Sequence, residues 1–113
     1  MAPEPIGAEP DGDGDPFDAL GDANRRRILE LLRSGDRSVR ELADKLPISR
    51  PAVSRHLRLL KQAGLVRDRP EGTQRLYRLH DEGIATVRHY LESVWGEAAA
   101  RFRLVAENTE ERS

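Results

Sequence analysis

Apolar residues along this chain recur with two different periods, and the changes of period mark its elements. Phe17 and Leu20 begin a short helical turn. Ile28, Leu29, Leu31 and Leu32 supply the buried face of a second helix, capped by Asp22 and running to about Arg33. Gly35-Asp36 breaks it. Ser38-Val39-Arg40-Glu41 then has the capping-box form, with Ser at the N-cap and Glu three residues on. Val39, Leu42, Ala43 and Leu46 make the stripe of that third helix, and Pro47 ends it. Ser49 caps a fourth helix within a few residues; Pro51 is tolerated in its first turn, Val53, Leu57 and Leu60 form its buried row, and Gly64 stops it. Two helices in such close succession have the helix-turn-helix layout.

After Gly64 the period drops towards two. Leu65–Arg69 and Gln74–Leu79 read as short strands around a hairpin tip at Pro70-Glu71-Gly72-Thr73. From Asp81 helical spacing returns, with Ile84, Val87, Leu91, Val94, Ala98, Phe102 and Val105 at intervals of three and four. A rod of roughly 25 residues is about 37 Å long, more than one small core covers. Ile84 and Val87 are within reach of that core. The rest of the stripe, with the exposed aromatics, reads as a subunit interface. The candidate set is Phe17, Leu20, Val87, Tyr90, Leu91, Val94, Trp95, Ala98 and Phe102, pairing the chain with a second copy of itself.

The expected fold is therefore mainly α with a small β-hairpin: a winged helix-turn-helix, dimeric through its first and last helices. Residues 1–15, rich in Pro, Gly, Asp and Glu, read as a disordered acidic tail. Residues 16–106 form one DNA-binding and dimerisation domain, and 107–113 a flexible tail. Cysteine is absent, which removes disulfides and thiolate sites. No apolar run reaches the length of a membrane span, and the acidic N-terminus is unlike a signal peptide. A cytoplasmic chain with no membrane partner is expected.

The net charge of −1 conceals a division. Residues 1–21 carry six acids and no base, residues 22–80 carry fifteen Lys or Arg against seven acids, and residues 81–113 carry four bases against seven acids. The central +8 governs attraction to a polyanion, because local potential matters more than the total. The fourth helix lies in this segment, and opposite its apolar row it carries Arg50, Ser54, Arg55 and Arg58, donors to phosphates or base edges. A short helix of this kind has the dimensions of a major-groove reader. The candidate double-stranded DNA contacts are Ser49, Arg50, Pro51, Ser54, Arg55, His56 and Arg58. Ser38 and Arg40 join them at a helix N-terminus that favours phosphate, and Arg67, Arg69, Thr73, Gln74 and Arg75 form the wing.

Catalysis finds no support in the chain, so no enzyme is expected. Ser54 and His56, two apart on a helix, point to different sides and cannot act as nucleophile and base. No Gly-rich phosphate loop or Cys–His set is present. The alternatives are a winged helix that binds only protein, which would not need cations on the front of the fourth helix and along the hairpin, or a metal-responsive repressor.

Three segments, Phe17–Leu29, Ser49–Val66 and Gly72–Leu79, together resemble the ArsR family of bacterial winged-helix repressors over about residues 17–105. The resemblance implies a homodimer on an inverted repeat, often repressing its own operon and in many members released by a metal or other signal. It also implies an interface made by the first and last helices. It departs from the metal sensors: where thiolate members carry a Cys pair this chain has Glu41-Leu42-Ala43-Asp44-Lys45-Leu46. His89 and Glu92 fit half of the zinc pattern, but Arg78 and Leu76 stand where its His and Asp belong, and His80 is off-register. No metal and no cofactor are expected, and the chain looks closer to the metal-independent, autoregulating branch.

Overall fold

A computed structural model of the chain describes residues 14–112; the side chains at 97, 99, 100 and from 102 onward lie outside the described set. The elements are α1 (Pro16–Ala19), α2 (Ala23–Leu32), β1 (Arg37–Ser38), α3 (Val39–Asp44), α4 (Arg50–Gln62), β2 (Val66–Glu71), β3 (Gln74–Leu79) and α5 (Asp81–Arg112). Each of the first helices starts on a side chain that accepts an otherwise orphaned backbone N–H: Asp15 from Phe17, Asp22 from Arg25, Ser38 from Glu41 and Ser49 from Ala52. Around Ser38 the capping box is complete, because the Glu41 carboxylate accepts the Ser38 N–H at 2.8 Å.

One core joins these elements. Ile28 and Leu32 of α2, Leu42 of α3, and Val53, Leu57 and Leu60 of α4 meet Leu65, Val66 and Val87. Gly64 ends α4 at a positive φ of 78°. Its carbonyl is also where α5 crosses: a Cβ at Gly83 would stand only 1.8 Å from Gly64 O. A residue without a side chain is required at Gly83, and the crossing brings Val87 into the core.

Three features depart from the sequence expectation. Arg37–Ser38 is a strand, and the antiparallel sheet has three strands in the order β1-β3-β2, with Arg37 opposite Tyr77 and Ser38 opposite Leu76. Two residues are too few to show a period. The hairpin tip is shorter than expected, because Pro70 and Glu71 belong to β2, opposite Arg75 and Gln74. β2 is an edge strand, where a proline costs no ladder bond if its nitrogen faces outward. Lastly, α5 continues through Arg112, over most of the stretch 107–113 that the sequence suggests as a flexible tail. After Gly96 the chain holds neither Gly nor Pro, and strong helix formers carry the helix on.

Val87, grouped above with the interface set, lies in the protomer's own core. Leu20 is half-buried against that core. The side chain of Phe102 and the residues of the acidic tail before Gly14 lie outside the described residues.

Candidate nucleic-acid interface

α4 presents two faces because its buried residues recur every three or four positions. With Val53, Leu57 and Leu60 turned inward, Pro51, Ser54, Arg55, Arg58 and Leu59 are exposed along the opposite side. Arg50 is exposed at the first turn. None of Arg50, Arg55 or Arg58 has a hydrogen-bond or ion-pair partner among the described residues, so each keeps its full donor capacity.

The N-terminus of α4 opens onto a cleft of about 540 Å³ lined by Ser38, Val39, Arg40, Arg50, Pro51, Ser54, Gln74, Arg75 and Tyr77. Residues from α3, α4 and β3 meet here, so the helix-turn-helix and the wing share one concave surface. None of its lining residues is acidic. Its cations come from three separate elements: Arg40, Arg50 and Arg75.

Arg75 is held in place. Its Nε donates to Asp68 Oδ2 at 2.6 Å, and Lys61 Nζ of α4 lies 3.0 Å from the other oxygen of the same carboxylate. The Asp68 side chain is only 7 % exposed. Burial pushes this carboxyl up, but the hydrogen bonds from Arg75 and Lys61 outweigh it and leave it below its ordinary value. The bond to Asp68 in turn raises Arg75 above the usual guanidinium value, so Arg75 stays charged. Asp68 thus ties α4 to both strands of the hairpin. The alternation of β2 already hinted at this, since Asp68 falls on the inward side with Val66.

Other expected contacts lie elsewhere. Ser38 is buried, and its hydroxyl is committed to the cap of α3. Ser49 is exposed but caps α4 through Ala52 N–H. His56 turns towards α2: its side chain is 17 % exposed, with Nε2 4.0 Å from Asp22 Oδ1 and Nδ1 3.4 Å from Arg25 Nη1. Asp22 is held below the ordinary aspartate value, chiefly by the Arg25 N–H that it caps. Arg25 also donates to Ala19 O at 2.7 Å, so this cluster joins α1, α2 and α4.

The expected wing residues divide into two groups. Gln74 and Arg75 face the cleft, whereas Arg67 and Arg69 line a different hollow with Asp68, Arg78, Leu79, His80, Asp81 and Glu82. Arg69 is paired with Glu71 at 2.7 Å and with Asp36 at 3.0 Å. Arg67 is exposed, directly across the ladder from Arg78. Thr73 is exposed in the turn.

A second surface has opposite chemistry. Phe17 of α1 and Tyr90 of α5 pack with ring centroids 4.9 Å apart at 60°. Beside them Tyr90 is 49 %, Leu91 42 %, Val94 46 % and Trp95 55 % exposed. Ala98 is also exposed. No group of three or more His, Cys, Asp or Glu able to hold a metal occurs among the described residues. No helix among them is long and apolar enough to cross a membrane.

Comparison with known proteins agrees with this geometry. Residues 22–68 match the family model described as bacterial regulatory protein, arsR family. The chain is 51 % identical over 82 residues to the HTH-type transcriptional regulator Rv2034 of Mycobacterium tuberculosis, covering 73 % of this chain and 77 % of that one. It is 41 % identical to the transcriptional repressor SdpR of Bacillus subtilis, over 57 % of this chain and 71 % of the relative. Among solved structures, a possible transcriptional regulator for arsenical resistance superposes with a TM-score of 0.70 at 42 % identity, covering 82 % and 95 % of the two chains. The homodimeric winged helix-turn-helix DNA-binding domain Mb0332 of Mycobacterium bovis superposes at 0.59 with 33 % identity, over 75 % of this chain and 79 % of that one.

Proposed function

Because this chain belongs to the ArsR family of bacterial transcriptional regulators, we propose that it represses transcription as a homodimer bound to an inverted-repeat operator. The observation that carries the reading is the acid-free cleft at the N-terminus of α4, where Arg40, Arg50 and Arg75 converge from three elements. In this reading Arg50, Ser54, Arg55 and Arg58 enter the major groove, with Pro51 at its edge. Arg40 and Arg75 meet the flanking phosphates. Gln74, Thr73, Arg67 and Arg69 follow the backbone beyond, the last after exchanging Asp36 and Glu71 for phosphate. Ser38, Ser49 and His56 act from behind by fixing α3 and α4.

Dimerisation supplies the second half-site. The exposed face made by Phe17, Tyr90, Leu91, Val94 and Trp95 is aromatic and unpaired in one protomer, and its two-fold pairing would set the two reading helices about 34 Å apart, one turn of DNA. No metal is assigned to this chain, since the donor set that the zinc pattern needs is broken at Arg78 and Leu76.

Genomic footprinting with the purified protein tests the reading. A protected inverted repeat is expected, its own promoter being the first place to look. At that site Arg55→Ala should lower discrimination between matched and mismatched operators by about 1–3 kcal/mol, whereas Arg67→Ala should weaken all sequences alike. Absence of binding to any fragment at low salt would sink the proposal.

A further inference from the structure

The described chain begins where the reading helix ends. Gly14 N–H donates to the carbonyl of Gln62 at 2.8 Å, in the last turn of α4. The approach is close: a Cβ on Gly14 would lie 3.1 Å from Gln62 C and Ala63 N, tighter than a side chain accepts without a shift. Gly14 is therefore anchored beside Gln62, and it lines a small hollow together with Leu59 and Gln62.

Gln62 also stands at one end of a row. Counting back by helical turns gives Arg58, Arg55 and Pro51, and the first of these neighbours Leu59. The row climbs about 5.4 Å per turn, and α4 from Gln62 to Arg50 measures about 18 Å. The segment 1–13 carries Glu4, Glu9, Asp11 and Asp13 and no basic side chain. Glu9, Asp11 and Asp13 are two residues apart, so an extended backbone would place all three carboxylates on one side about 6.6 Å from one another. That repeat is close to the rise of the cationic row. Thirteen residues reach about 43 Å at full extension, more than twice the length of the helix.

We propose that the acidic segment 1–13 docks in cis along the Arg58–Arg55 face of α4, occupying the surface that DNA would use and competing with it. The proposal rests on α4 being the DNA-contacting element. It adds a built-in threshold: weak or non-specific DNA must displace the segment, while an operator with base contacts displaces it readily. A short tether gives an effective concentration in the millimolar range, so a segment with an intrinsic Kd of about 0.1 mM would cover the face about nine-tenths of the time and weaken DNA binding about tenfold.

The chain permits a direct test, because it has no cysteine of its own. A nitroxide attached at Ile6→Cys should broaden the amide signals of Arg55 and Arg58 in DNA-free protein. The broadening should vanish in 1 M salt, where the Debye length is about 3 Å, and in the variant E4Q/E9Q/D11N/D13N. That variant should bind non-specific duplex about tenfold more tightly at low salt. Tighter binding without broadening on α4 would mean only a general charge effect and would overturn the docking. So would broadening that appears only when spin label and observed amide are on different chains. If neither the unsubstituted protein nor the variant binds any DNA, the repressor reading fails instead, and the spin-label result still decides whether the segment docks.

Discussion

α4 and α5 are both amphipathic helices, yet they dispose of their apolar faces in different ways. The thirteen residues of α4 turn Val53, Leu57 and Leu60 wholly into the core and leave cations outside. The thirty-two residues of α5 bury Val87, while Tyr90, Leu91, Val94 and Trp95 stay in contact with water. The difference is one of reach. A helix that crosses the middle of a small domain is covered by α2, α3 and the sheet, whereas one that leaves it after two turns has nothing further to pack against. An apolar face satisfied within the protomer serves stability, and the same kind of face left open calls for a second chain.

The comparison can be broken most decisively at α5. Trp95→Ala combined with Leu91→Ala should separate the subunits, since truncating a buried Trp costs about 3–5 kcal/mol where an interface covers it. Sedimentation should show folded monomers with little operator affinity, and a dimer that survives would place the interface elsewhere. Leu57→Ala attacks the other face. It should cost the protomer about 2–5 kcal/mol, a large part of the 5–15 kcal/mol typical of a domain. Denaturant titration should find this loss at every protein concentration, whereas the α5 variant should chiefly remove the dependence of stability on concentration.

A smaller effect is expected where α4 meets the wing. The Asp68 carboxyl is lowered in the folded protein, so its contribution is full above the ordinary value of 3.8 and is lost as pH falls through the lower, folded value. Asp68→Asn should therefore cost about 1–2 kcal/mol near neutral pH, as expected for hydrogen bonds to partly exposed cations. It should also flatten the fall in stability below pH 3.8. The dimer should be unaffected, because Asp68 binds Lys61 and Arg75 and touches neither α1 nor the exposed part of α5. A change in subunit association in this variant would erase the separation of the two faces.

The residues themselves determined the helices, their caps, the two hairpin strands and the contrast between the faces of α4. Each of these is local: a cap lies three residues from its N–H, a helical face repeats within four, and Gly64 ends its helix through its own φ. The departure of α5 from the core was also legible as a stripe too long for one small domain. Tertiary structure alone decided which charges remain available. Asp36 and Glu71 take Arg69, Asp68 takes Arg75 and Lys61, and Asp22 with Arg25 draws His56 inward. Half of these pairs are distant in sequence, Asp36 and Arg69 by 33 residues, so no period or spacing announces them. The strand at Arg37–Ser38 belongs with them, because two residues become a strand only when β3 is there to pair with. Arg67 and Arg69 likewise separate from Arg75 because pairing and pleat, set by the partner strand, choose the side that each residue faces.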